Sequence, residues 1–204
     1  MKALLTFIIV FSYSVCSFAK FLPKAFEATF LQEKKSSISN RINQNNLAIK
    51  YQFPSNFYLK ENPGEIVYIC NTKKVWIYNP PMFETEKGLL REGKSNKYCY
   101  SKLFDSLSKG LVSNKLYSVK RLDKSSYRLS FLPKAKQQLG VSKLEISFKT
   151  KSHLFKNTSQ LKLFYEGEKS PTVLKPQTFK VVKKFLPSIF KFVTPKNTDV
   201  IKMK

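Results

Sequence analysis

The chain has 204 residues, with 37 Lys and Arg against 13 Asp and Glu, a formal net charge of +24 and a single histidine. That length suits one domain with a sizeable core, and the charge predicts attraction to anionic surfaces such as phospholipid headgroups or other polyanions. One imidazole rules out a His-based metal site, and the scarcity of carboxylates leaves little for acid–base catalysis.

The N-terminus reads as a secretory signal peptide, residues 1–19. Lys2 is a minimal positive start, residues 3–11 are apolar apart from Thr6, and Ser17 and Ala19 occupy the small-residue positions of a cleavage site. The apolar stretch is too short for a bilayer-spanning helix with normal flanks. Cys16 invites a lipoprotein reading, but Val15 precedes it where a lipobox wants Gly, Ala or Ser. The mature chain is expected to be residues 20–204, a single domain, with a formal charge of +24 less Lys2, or +23. No second apolar run long enough to span a bilayer follows, so the mature chain is expected to be soluble. Its lysines are spread along the chain rather than clustered, which a solvated polar face explains as well as a polyanion partner does.

Pro23 limits any helix before "AFEATFLQEKK" (25–35), which reads as the first strand. "LAIKYQF" (47–53) then places Leu47, Ile49, Tyr51 and Phe53 on one face, the period-two pattern of a half-buried antiparallel strand. "YICNTKKVWIYNPP" (68–81) reads as a strand, a polar turn at Asn71-Thr72, a second strand and a stop at Pro80-Pro81. This second strand carries the only tryptophan and is apolar on both faces, where ordinary alternation would leave one polar. A polar stretch follows through Lys97, and then "SKLFDSLSKGL" (101–111) changes period. Leu103, Phe104, Leu107 and Leu111 recur at helical spacing, Ser101 is placed to cap, and Gly110 to stop the helix. Strict alternation returns in "YRLSF" (127–131), "KLEISFK" (143–149) and "QLKLFYE" (160–166). Turn residues separate the strands at Pro54-Ser55-Asn56, Asn62-Pro63-Gly64, residues 123–126 and Gly167. Many short strands with one inserted helix predict a mainly β (α+β) fold, one large and strongly curved antiparallel sheet.

Catalytic signatures are missing. There is no glycine-rich phosphate loop and no G-x-S-x-G elbow. His153 stands alone near a turn, and two cysteines after the leader are too few for a zinc cluster. Glu84 and Glu86 sit close together, but nothing in the pattern orients them as acid and base. No metal and no cofactor is expected, and the chain does not read as an enzyme. Cys70 and Cys99 are either a bridge or two separate buried thiols. A bridge over that loop would contribute about 3–4 kcal/mol in the chain-entropy treatment.

The order of these segments resembles a known family. "ATFLQ" (28–32), "IKYQFPSNFYLKENPGEIVYICNTKKVWIYNPP" (49–81), "TFKVV" (178–182) and "FKFVTPKNTDVI" (190–201) look like the periplasmic carrier of outer-membrane lipoproteins, the LolA-type proteins. The match is good over 28–81 and looser beyond. The resemblance implies an unclosed, strongly curved β-barrel or half-barrel with a short helical lid over an apolar cavity. It implies acylated lipoproteins as cargo, received from an inner-membrane ABC-type transporter and passed to an outer-membrane acceptor, by a monomer in the periplasm. Physical need agrees, because each exposed methylene of an acyl chain costs about 0.8 kcal/mol in water. Two features depart from the family. Phe53 stands where many members place the arginine that latches the lid, with Arg41 too far upstream to replace it. The long N-terminal helix is nearly missing.

On this reading the expected lining is Phe30, Ile49, Tyr51, Phe57, Leu59, Val67, Ile69, Trp76 and Tyr78 from strands, with Leu103, Phe104 and Leu107 from the lid. A one-residue change of parity would move a whole set to the other face. The alternative reading is a basic extracytoplasmic protein that binds anionic polymer or membrane surface, with affinity that falls steeply with salt. Nucleic acid is not an expected partner, because the leader sends the chain out of the cytoplasm. A hydrolase around Glu84 and Glu86 is a third, less supported possibility.

Overall fold

The computed structural model describes residues 21–36, 39, 41–95 and 99–203. The expected leader, with Cys16, lies outside them. Twelve strands form one sheet: β1 (Ala25–Lys35), β2 (Ile42–Gln52), β3 (Asn56–Asn62), β4 (Val67–Cys70), β5 (Lys74–Asn79), β6 (Gly88–Lys94), β7 (Tyr117–Arg121), β8 (Ser126–Phe131), β9 (Val141–Phe148), β10 (Thr158–Tyr165), β11 (Thr172–Val181) and β12 (Thr198–Lys202). Their order across the sheet is β12-β6-β5-β4-β3-β2-β1-β11-β10-β9-β8-β7. All neighbours are antiparallel except β12, which runs parallel to β6. The terminal strands of the order do not pair with each other, so the sheet is curved but unclosed.

β1 occupies 25–35, the segment expected as the first strand, and pairs along its whole length with β2, from Ala25 opposite Gln52 to Lys35 opposite Ile42. Phe26, Ala28 and Phe30 point to the inner face. There they meet Leu47, Ile49 and Tyr51 of β2 and Leu144, Ile146, Leu161 and Leu163 of β9 and β10, all buried in one cluster. Among the described residues, short helices at 101–107 and 133–139 cover this inner face. α1 (Ser101–Leu107) is the helix expected from the sequence, though its first turn is not capped by Ser101. The Ser101 hydroxyl is buried and lies 2.8 Å from the Cys99 sulfur instead.

α2 (Pro133–Leu139) was not legible as an apolar stripe, because only Ala135 of its seven residues is buried. It is punctuated clearly nonetheless. Pro133 supplies a pre-set φ in the first turn, and Gly140 closes the helix at φ +65°, where its N–H donates to the Lys136 carbonyl at 2.8 Å. β6 lies in the stretch that reads as polar in sequence.

The outer face has a smaller core of its own. After β11 the chain crosses back over this face through the short 3₁₀ turn Pro187–Phe190 and reaches β12. Phe185 and Phe190 pack with Ala25 and Ile69, and Tyr58, Val67, Trp76, Ile189 and Phe192 lie against them. Polar contacts fix the path. The Phe185 N–H donates to the Gln52 side-chain oxygen at 2.8 Å, and the Asn71 amide donates to the Phe190 carbonyl at 3.0 Å. This segment explains a strand that is apolar on both faces. In β5, Val75 and Ile77 face the main core while Trp76 and Tyr78 face the returning chain.

His153 is half-buried. Its ring packs against Tyr127 and Phe148 with centroids 5.0 and 5.2 Å away. Glu84 and Glu86 lie in the exposed loop between β5 and β6, where a Glu86 carboxylate oxygen accepts the Met82 N–H at 3.2 Å.

Candidate functional site

Between the inner face and the two helices lies a cavity of about 500 Å³. Its floor comes from Leu47 and Ile49 of β2, Phe57 and Leu59 of β3, Tyr68 of β4, Ile77 of β5, Leu163 and Tyr165 of β10 and Leu174 of β11. Leu103 and Phe104 of α1 and Leu139 of α2 form the roof. The remaining wall carries polar groups, among them Gln32, Glu61, Gln137, Gln138 and Thr172. The lining is mainly apolar with a few polar groups at the wall, the usual make-up of a small-ligand site.

Of the residues expected from the sequence to line such a space, Ile49, Phe57, Leu59, Leu103 and Phe104 do so. Phe30, Tyr51 and Leu107 point to the same side but are packed into the solid core, each almost completely buried. Val67, Ile69, Trp76 and Tyr78 lie on the opposite face, under the returning C-terminal segment. The parity of β4 and β5 is therefore the reverse of the expected one, with Tyr68 and Ile77 inward. Two equally apolar faces carry no parity signal, and the cover that buries the outer one comes from residues 185–192. Sequence reasoning also missed Tyr165, Leu174 and the whole contribution of α2.

Three attachments hold α1 over the cavity. The first is covalent. Cys99, just before the helix, is disulfide-bonded to Cys70 at the end of β4, with Cα atoms 5.9 Å apart. The second is aromatic. Phe104 inserts among Phe26, Tyr51 and Phe57 with ring centroids 5.4–5.7 Å away, distances at which ring pairs attract beyond simple burial.

The third is a carboxylate latch. Asp105 accepts the Tyr51 hydroxyl at 2.8 Å and the Ser55 N–H at 3.2 Å through one oxygen, and the Ser55 hydroxyl at 3.0 Å through the other. Ser55 sits at φ +60° in the β2–β3 turn, a backbone setting that aims both its donors at the helix. Where the family resemblance implies an arginine on the strand, this chain has Phe53 and a latch of opposite polarity. The charge sits on the lid and the donors sit on the sheet.

Four tyrosines resist ionisation. Burial raises Tyr51, Tyr68, Tyr117 and Tyr165 above the usual phenol range, and the Asp105 carboxylate raises Tyr51 further. Tyr165 is pushed up to about 12. Below about pH 10 these phenols are neutral in folded and unfolded chains alike, so their contribution is fully present. Above that value the unfolded chain loses protons that the folded one keeps, and stability falls as pH rises toward the folded pKa values. Alkaline titration should therefore show these four ionising together with loss of the β-sheet circular dichroism. Their smooth ionisation in a protein that stays folded would contradict the burial argument.

The fold is thus a curved, unclosed sheet with short helices over a mainly apolar cavity. The chain belongs to the LolA family, "Outer membrane lipoprotein carrier protein LolA", whose sequence model matches residues 23–193. No curated protein matches it. Similar solved structures include an uncharacterized conserved protein from Thermus thermophilus, with TM-score 0.47 and 14% identity over 90% of this chain and 93% of that one. Another is a LolA superfamily protein from Nitrosomonas europaea, with TM-score 0.44 and 9% identity over 85% of this chain and 92% of that one. Among the described residues, no helix is long and apolar enough to cross a membrane.

Proposed function

We propose that this protein is a periplasmic carrier that buries the acyl chains of lipoproteins beneath α1 and α2 and moves them from the inner to the outer membrane. The observation that carries this reading is the roofed apolar cavity of about 500 Å³ in a chain of the LolA family. That volume falls within the roughly 300–1,000 Å³ of sites that enclose one small ligand. Release without bound nucleotide needs a site that gains from exclusion of water but lacks tight polar anchors. The floor residues, which are mostly aliphatic and aromatic, meet that need. The Cys70–Cys99 bridge fits an oxidising compartment. The partners on this reading are an inner-membrane ABC-type releasing transporter and an outer-membrane acceptor, and no chemical step is involved.

The test places a charge in the roof and in the floor. Leu103→Asp and Leu59→Asp alter half-buried positions, so the fold should survive, as circular dichroism would verify. An unpaired carboxylate inside an apolar site costs several kcal/mol, so binding of a fluorescent fatty acid or a triacylated lipopeptide should weaken by more than about a hundredfold. Unchanged binding in both folded variants would sink the cavity assignment.

A further inference from the structure

One end of the sheet gathers three segments that are far apart in sequence. The Phe53 N–H donates to the Lys24 carbonyl at 2.8 Å, and the Val182 N–H donates to the Ala25 carbonyl at 3.2 Å. Phe185 is tied to Gln52 by the bond described above, and Val181 stands opposite Phe26 in the β1–β11 ladder. At this end of the sheet Phe53, Val181 and Leu186 are 44%, 54% and 72% exposed. Lys24, Lys183 and Lys184 are exposed around them, and none of the three is in an ion pair among the described residues. The neighbouring carboxylates are already engaged. Glu27 pairs with Lys180 at 3.5 Å, and Asp105 is taken up by Tyr51 and Ser55.

We propose that this end of the molecule docks on an anionic phospholipid bilayer, with Phe53, Val181 and Leu186 entering the headgroup–acyl boundary and the three lysines at the level of the phosphates. Apolar side chains interspersed with unpaired cations, and no free anion, are the combination that an interfacial site selects. A folded protein partner would instead be expected to meet a contiguous apolar centre with charges pushed to its rim. The molecule also carries its own control. Met82 and Phe83 are 85% and 66% exposed in the β5–β6 loop, but Glu84 and Glu86 stand beside them and would be repelled by an anionic surface. The docking surface also shares a turn with the lid latch, because Phe53 lies two residues before Ser55. The proposal stands whatever the cavity holds.

Flotation of the ligand-free protein with vesicles tests it. Binding should be strong on phosphatidylcholine vesicles containing phosphatidylglycerol, weak on phosphatidylcholine alone, and reduced by salt. Each lysine near an anionic surface is worth about fivefold in partitioning, so Lys183→Gln with Lys184→Gln should lose about 25-fold. Phe53→Ser with Leu186→Ser, both at exposed positions, should lose about tenfold or more. Met82→Ser with Phe83→Ser should change nothing. The proposal is overturned by any of three results: no preference for the anionic vesicles, loss of binding in the Met82/Phe83 variant instead, or full binding in the Phe53/Leu186 variant. The last outcome would mean a diffuse electrostatic attraction with no seated surface. Fatty-acid binding by the Lys183/Lys184 variant should be unaltered, so that failure of docking is not confused with failure of the cavity assignment.

Discussion

Replacing Asp105 with alanine is expected to lower the stability of the protein by about 2–4 kcal/mol and to speed the entry of an apolar ligand into the cavity. The argument rests on what would be left behind. Tyr51 is completely buried, so its hydroxyl, once it loses Asp105 at 2.8 Å, has no water to turn to. The Ser55 N–H and hydroxyl lose the same partner. Orphaning a buried donor costs more than the bond itself contributed, and bonds to a charged acceptor are the stronger ones. Asp105→Asn keeps the shape and removes the charge, so it should fall between wild type and Asp105→Ala. Urea unfolding would give the stability change, and stopped-flow uptake of a fluorescent fatty acid would give the entry rate. Wild-type values of both in Asp105→Ala would show that the latch holds nothing.

The second large effect is expected from the disulfide. Cysteines separated by 29 positions close a loop for which chain-entropy bookkeeping assigns about 3–4 kcal/mol. Both sulfurs lie within the core, with Cys70 fully buried and Cys99 nearly so. A Cys70→Ala, Cys99→Ala double variant should therefore unfold at a markedly lower urea midpoint, with a slope somewhat above wild type because the unfolded chain is less compact without the bond. Its lid would still be held by Phe104 and Asp105, so ligand binding should persist with faster dissociation. A double variant as stable as wild type would mean that the loop is equally restrained without the bond.

How much of this could be read from the chain depended on where each residue's burial comes from. Segments with one clean apolar face declared both their state and their orientation. β2 is the best instance, since Leu47, Ile49 and Tyr51 face inward as their alternation requires, although Phe53, expected on the same face, lies past the end of the strand and is exposed. β4 and β5 declared their state but hid their orientation. Trp76 is as apolar as Ile77, and only the return of Phe190 and Phe192 across the outer face decides which of them meets the cavity. α2 shows the opposite limit. It rests on the barrel rim with one buried residue, so hydrophobic periodicity could not reveal it, although Pro133 and Gly140 marked its ends. The cavity was legible as a kind of place, but its roof was only half legible.

The position of the first strand has a consequence for how the molecule comes into being. β1 lies inside the sheet, between β2 and β11, and Phe26 finds its partner on that second flank only at Val181. β1 through β6 can zip by successive local hairpins, yet the other flank of β1 needs β11, which lies almost at the far end of the chain. Loop-closure entropy makes such distant pairing slow. Until residues 172–181 pair with it, one flank of β1 is an open strand edge, and the sheet is complete only when nearly the whole chain is available.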